Sequence, residues 1–412
     1  MTRTFLLLAV TGLVLPACAV NEVITAEETE LVVAAAPPDE SLLLDIGIVE
    51  FSGGLPEDND PLETGLYEEI RAAEVRYLPY HLKTTLQGTG HWGAVRVIPS
   101  REAFTDIIIG GRIRESDGEF VELEVSISDS RGQHWYDKTY EAQTGISSYS
   151  ENRDRREDPY QKAFNDIAND LQEYVRQFPP GVVSEIRNVT ELKFFADMSP
   201  LAFGEHLATD GRGNLTVARL PAENDPSVNR LRQIRERDRL VVDTLNEHYA
   251  NFYYGIAIPY HSWRKTAREE SINYRQVKRS ATMQTILGVV VIAGALAVDT
   301  NSSSRSTERM NRGLQNIAIG EGFETLMSGI TRRSEAGIHR ESIQELSESF
   351  GAEAAPMVVT VEGETRRLTG TATAQYESWR KLLREIYEAE TGFVDTADGA
   401  DPGPVRVPEP TG

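Results

Sequence analysis

The sequence predicts an α+β fold: an N-terminal module with a mixed or antiparallel sheet, a mainly helical middle, and a small hairpin followed by a last helix. Three observations carry this. Runs of β-formers and alternating patterns fall between residues 43 and 141, and apolar residues recur every three or four positions in charged stretches between 182 and 350. Near 357–369 a short strand pair precedes one more helical stripe. At 412 residues the chain is long enough for two or three domains and a sizeable core.

The first element is an address. Arg3 gives a basic start, Phe5 to Val14 is apolar except at Thr11 and Gly12, and Leu15-Pro16-Ala17 leads into Cys18, the only cysteine. This order of regions reads as a secretory signal. Leu15 three residues before the cysteine and small Ala17 just before it resemble the lipobox of bacterial lipoproteins, although Pro16 stands where that family has Ser, Ala or Thr. The resemblance implies that residues 1–17 are removed and that a lipid on Cys18 anchors the chain to a membrane. Ala19 rather than Asp at the next position implies the periplasmic face of an outer membrane. Residues 18–42 have no period, run through Ala34-Ala35-Ala36-Pro37-Pro38, and are expected to be a mobile tether.

With Cys18 acylated no thiol remains, which excludes disulfides, thiolate nucleophiles and cysteine-ligated metals. The net charge of −22 becomes −23 once Arg3 is removed, and a chain that acidic disfavours nucleic acid and anionic membrane surfaces.

Leu43 to Phe51 is rich in β-formers and ends at Ser52-Gly53-Gly54-Leu55-Pro56, so it is the first strand. Leu62, Leu66 and Ile70, then Leu78, Leu82 and Leu86, recur at helical spacing, with Pro79 expected to start a second helical segment. Ala94 to Ile98 and Asp106 to Ile113 read as strands. Phe120 to Ser128 alternates Val121, Leu123, Val125 and Ile127 with acids, then turns at Asp129-Ser130-Arg131-Gly132 into His134 to Glu141, a hairpin. Asp158-Pro159 opens a helix with Phe164, Ile167, Leu171 and Phe178 on one face, and Pro179-Pro180-Gly181 stops it. Residues 43–178 are therefore complete in strands and helices and are expected to fold alone.

Asp45-Ile46-Gly47-Ile48-Val49-Glu50-Phe51, Trp92 before the strand at Val95, and Ile107-Ile108-Ile109-Gly110-Gly111, in this element order, resemble the periplasmic α/β module of the curli-secretion lipoprotein and of lipoprotein activators of peptidoglycan synthases. None of these residues is a catalytic motif. No alternation typical of a membrane-spanning hairpin is present, so pore formation is not implied.

The region 179–351 is mainly helical. Leu231, Ile234, Val241, Leu245 and Tyr249 form a stripe broken by Asp238, Arg230 to Arg237 alternates charges as a solvated face does, and Gly255 and Pro259 are expected to separate two helices. Ile286 to Val298 is the most apolar stretch after the signal. Its 13 residues would extend about 20 Å as a helix, against roughly 30 Å of hydrocarbon, and Arg275, Lys278 and Arg279 flank the wrong end for an exported chain. Gly288, Ala293, Gly294 and Ala297 would let another helix approach, so the segment is expected to be a buried or subunit-contact helix. Residues 352–392 read as a hairpin and a helix ending at Gly392. Residues 393–412 are a Pro/Gly/acid tail of disordered composition.

Local motifs for chemistry are absent. Gly88-Thr89-Gly90-His91-Trp92-Gly93 matches a dinucleotide string, but a helix precedes it and a strand follows, the reverse of what a pyrophosphate needs. Glu57-Asp58-Asn59-Asp60 lacks EF-hand spacing, and the seven histidines show no paired zinc spacing. No cofactor is implied. Tyr253, Tyr254, Tyr260, Trp263 and Arg264 gather aromatics with a cation, which is most often a helix–helix core and otherwise a surface for a partner. Three functions stay open: a lipid-anchored envelope protein that binds, scaffolds or assembles another component or itself, a peptidoglycan or glycan hydrolase using scattered carboxylates, and an oligomeric secretion or assembly subunit.

Overall fold

The computed structural model describes residues 28–55, 66–101, 103–150, 157–222, 224–295, 340–348, 357–361 and 364–391. The fold is α+β. Its sheet uses β1 (Ile46–Val49), β2 (Ser52–Gly53), β3 (Val95–Ile98), β4 (Ile107–Ser116), β5 (Phe120–Asp129) and β6 (His134–Gln143). The order is β3-β1-β4-β5-β6, with β1 parallel to both β3 and β4, the β4-β5-β6 meander antiparallel, and β2 running on beside β4. The sheet is thus mixed. Alternation in β5 buries Val121, Leu123, Val125 and Ile127 and leaves Glu122, Glu124 and Ser126 half-exposed on the other face. Gly111 lies under Phe51: a Cβ there would meet the ring at 2.7 Å, which is why a glycine follows the isoleucine run.

Helices α1 (Glu68–Thr89) and α2 (Gln161–Arg176) pack side by side on the sheet, burying Leu78, Leu82 and Leu86 with Phe164, Ile167 and Leu171. The expected break at Pro79 is corrected: α1 is one helix with the proline inside it. Pro79 has no N–H for the Val75 carbonyl. The N–H of Phe51, just past β1, donates to that carbonyl at 2.9 Å, so the missing helical bond is replaced by one that ties α1 to the sheet. Gly90, left-handed at φ 69°, ends α1 as the helix-to-strand loop requires.

The expected mobility of 18–42 is also corrected in part. Thr29 to Ala34 is strapped to the body. Asn169 of α2 donates to the Glu30 carbonyl and accepts from the Val32 N–H, Asn165 donates to the Thr29 carbonyl, and the Ala34 N–H donates to Thr89 at the end of α1.

Beyond Gly181, α3 (Val182–Met198) crosses the end of the sheet, and a small hairpin of β7 (Leu207–Thr209) and β8 (Leu215–Val217) follows. Then comes α4 (Pro226–Ala295), a single helix of 70 residues where two were expected. Pro259 lies inside it. The carbonyl it deprives is that of exposed Gly255, where water can serve, so the helix continues. α4 runs along the β3 edge, where the Asn246 side chain accepts from the Val97 N–H at 3.0 Å and Arg96 pairs with Asp243. That edge is closed to further strands. Helix α5 (340–348) follows, then the hairpin β9 (Met357–Val361) and β10 (Glu364–Leu368), and α6 (Ala372–Thr391) packs on α4 and α3. Asp238 does not break the α4 stripe. It lies on it, buried, accepting from the Trp379 indole of α6 at 3.2 Å.

Cys18, with Leu15, Pro16 and Ala17, lies outside the described residues, as do Ala297, the acidic loop at 57–60 and the tail. Gly288, Ala293 and Gly294 fall in the helical backbone of α4, but their side-chain surroundings are not among those described. Among the described residues no helix is long and apolar enough to cross a membrane.

Candidate functional site

The aromatic stretch of α4 is a joint inside the fold. Tyr260, Trp263 and Arg264 are buried, Tyr253 is half-buried, and only Tyr254 is exposed, at 65%. As a partner-binding surface the cluster is corrected: three of its five members are covered by the chain's own module. Arg264 reaches Asp158 with two hydrogen bonds of 2.7 and 2.8 Å, and its guanidinium lies 4.2 Å from the Tyr260 ring centre and 5.0 Å from that of Tyr160. Asp158 also accepts from the Tyr77 hydroxyl and the Tyr160 N–H. The guanidinium beside it holds its carboxyl well below the usual range despite burial, so it is ionised and supplies no acid.

Next to this pair, the Glu74 carboxylate accepts from the Tyr260 and Ser116 hydroxyls and lies 3.5 Å from Arg71. His81 is held between the Tyr253 hydroxyl and Gln161, each at 2.8 Å, and burial pushes its pKa down, so the imidazole is neutral. With Nε2 donating to the Gln161 carbonyl, Nδ1 accepts from Tyr253. The joint is closed, and its buried Arg264 Nε, Glu74 Oε2 and Arg71 Nη1 have no hydrogen-bond partner among the described residues.

A second place is open. Where β1 and β4 begin, α3 and α4 form the walls of a polar cleft of about 310 Å³ lined by Leu43, Asp45, Asp106, Arg187, Asn188, Glu191, Arg232, Arg235, Glu236 and Arg239. Its acids all hold protein donors. Asp45 accepts from the Ala94 N–H at 2.8 Å and pairs with Arg239 at 3.5 Å. Asp106 accepts from the Asp45 N–H at 2.8 Å and the Thr190 hydroxyl at 2.6 Å, stitching β1, β4 and α3 together, and burial pushes its carboxyl up. Glu191 takes both ends of the Arg232 fork at 2.9 and 3.3 Å, and Glu236 pairs with Arg239 at 2.7 Å.

The cations are less fully engaged. Arg187 donates to the backbone carbonyls of Glu40 and Leu43 at 2.6 and 3.1 Å and has no carboxylate partner among the described residues. Arg235 has neither a hydrogen bond nor a close ion pair among them, and desolvation together with Arg239 pushes its guanidinium down against the attraction of Asp106, Glu191 and Asp45. What the cleft has to offer is donors.

The sequence hides this site because the alternating charges of Arg230 to Arg237 have the pattern of a solvated face. The signal was there in the spacing: Arg232, Arg235 and Arg239 fall at i, i+3 and i+7, one face of α4 flanking the buried stripe of Leu231, Ile234 and Asp238. Among the described residues no group of His, Cys, Asp or Glu has the arrangement of a metal site. In comparisons with known proteins, no family model matches the chain, and no curated protein matches it either.

Proposed function

We propose that the chain is a lipid-anchored protein of the cell envelope, held through Cys18 at the periplasmic face of the outer membrane, with a binding or assembly role. The observation that carries binding over hydrolysis is the state of the cleft's carboxylates. Each already holds a protein donor, while the unused groups of the cleft are guanidinium donors, which suits holding a ligand better than cleaving one. The order Arg3, Phe5 to Val14, Leu15 to Cys18 supports the anchor. A role as an oligomeric assembly subunit has one specific support: α4 continues as helix from Arg268, buried against the body, to Ala295 within the small, apolar run that begins at Ile286.

The test is metabolic labelling with a fatty-acid probe, fractionation and crosslinking in intact envelopes, for the native chain and for Cys18→Ser. The native chain is expected to take the label, to float with outer membranes and to crosslink to a defined envelope protein or to itself. Cys18→Ser should lose label and flotation together. Unchanged flotation of the unlabelled variant would reject the anchor, and release of defined fragments from purified peptidoglycan would reject a purely binding role.

A further inference from the structure

We propose that the cleft between α3 and α4 is a phosphate site, in which Arg235 and Arg187 grip the phosphate oxygens from opposite walls and Asn188 supports one of them. The inference rests on the binding role argued above and gives that role a ligand class. The four acids of the cleft are each matched by a protein donor, and Arg232 and Arg239 are matched to acids in turn. With four acids and four arginines the lining is neutral overall, and what is left over is hydrogen-bond donors, on Arg187 and Arg235, one on each wall.

A buried or half-buried arginine whose N–H groups are unused is costly, and for Arg235 desolvation and the repulsion of Arg239 outweigh the longer-range attraction of Asp106, Glu191 and Asp45. Such a group is retained where an anion completes it. A carboxylate presents two coplanar oxygens that a single arginine fork can satisfy. Two forks approaching from separate helices suit a tetrahedral anion with three outward oxygens and up to two charges, which is a phosphate monoester or its equivalent. A volume of about 310 Å³ has room for the phosphate and a small group carrying it. The phosphate could reach the cleft free in solution or on a lipid headgroup.

The experiment uses the full chain as Cys18→Ser, beside the same chain carrying Arg235→Gln. Because Arg235 makes no hydrogen bond or close ion pair among the described residues, and its desolvation offsets the attraction of Asp106, Glu191 and Asp45, its replacement should change the ligand-free melting temperature little, which shows that the variant is folded. Inorganic phosphate and glycerol phosphate, titrated at constant ionic strength, should raise the melting temperature saturably, and succinate should not. Arg235→Gln should weaken that response about ten- to a hundredfold, the loss expected for one charge-assisted pair. Flotation with phosphatidylcholine vesicles, with and without phosphatidic acid, separates the sources: vesicle binding that needs phosphatidic acid and Arg235 assigns a headgroup, and a solution response alone assigns a free phosphate. An equal response in Arg235→Gln, an equal response to succinate, or none to any phosphate overturns the proposal. Fractionation and labelling of the Cys18 chain are unaffected by any of these results, so the anchor stands or falls separately.

Discussion

Arg264 of α4 clasps Asp158, three residues ahead of α2, through two hydrogen bonds of 2.7 and 2.8 Å, with both side chains about 1% exposed. Partners 106 positions apart thus fix the long helix to the module that precedes it. Breaking such a pair from one side leaves a buried charge, so Arg264→Met is expected to destabilise the chain by about 3–5 kcal/mol at pH 7 in urea titrations. The pH dependence gives the cause away. In the native chain the depressed carboxyl contributes stability that is complete above the unfolded value and is lost only as pH falls below it, so this group adds no slope between pH 4.5 and 7. In Arg264→Met burial dominates and raises the carboxyl, and the penalty then fades as pH falls. The gap between variant and native chain should narrow from pH 7 to pH 4.5. A constant gap would mean that lost packing, rather than an orphaned charge, causes the damage.

Gly118 at the tip of the β4–β5 hairpin lies directly against the backbone of α4. Its φ is +89°, and a Cβ there would lie 2.4 Å from the Arg264 carbonyl and 2.9 Å from the Arg268 nitrogen. Gly132, in the next hairpin, has φ +83° and open space around it. Gly132→Ala should therefore cost about 1–2 kcal/mol from backbone strain alone. Gly118→Ala bears the same strain and must also push α4 off the hairpin, so its cost should be clearly larger. Equal melting temperatures for the two variants would show that α4 does not press on the tip.

Asp238 is the buried acid that sets the opposite pH trend. Burial against Trp379 raises its carboxyl from 3.8 to about 6 despite Arg380 nearby. A raised carboxyl binds more protons folded than unfolded, so its cost to stability is absent below about pH 4, grows between pH 4 and 6, and is complete above that. The shift corresponds to about 2–3 kcal/mol. Asp238→Asn keeps an acceptor for the indole and removes the charge. It should melt higher than the native chain at pH 8 and lose that advantage at pH 4. A variant that is no more stable at pH 8 would show that the Arg380 attraction outweighs burial.

Strands β3 to β6 and the C-terminal hairpin and helix were legible in the sequence because each carries its own local period: alternation at Val121 to Ile127, the isoleucine run at 107–109, the stripe from Tyr376 to Tyr387. The first strand is shorter than expected, Ile46–Val49 rather than Leu43 to Phe51, and β2 falls where a turn was expected. The β7–β8 hairpin was not, since its strands are three residues long, although Asp210 to Asn214 has the Gly and Asx residues of a turn. Both prolines misled for one reason. A helix interior tolerates proline where something else serves the freed carbonyl, and for Pro79 that something is the Phe51 N–H from 28 positions earlier in the chain. The cleft was hidden similarly: that Arg235 makes no hydrogen bond among the described residues is a property of three-dimensional neighbours, while its sequence context is an ordinary run of charges.

Residues 43–178 are complete in strands and helices but incomplete in polar partners. Asp158 depends on Arg264, Glu74 on Tyr260, Glu50 on Tyr249, Arg96 on Asp243, the Val97 N–H on Asn246 and Asp106 on Thr190, and every second partner lies beyond residue 181. Cutting the chain at 178 would leave buried Asp158 without Arg264, take a hydroxyl donor from each of buried Glu74 and Asp106, and expose the β3 edge. The fragment 28–178, which keeps the Thr29–Ala34 strap, is therefore expected to hold helix and strand content in the far ultraviolet but to lack a sharp urea transition. Asp158→Asn with Glu74→Gln in the same fragment removes those two buried charges and should restore part of the cooperativity. A fragment that melts as sharply and at the same urea concentration as the full chain would show instead that the sheet and its two helices are self-sufficient, and that α4 is docked onto a finished module.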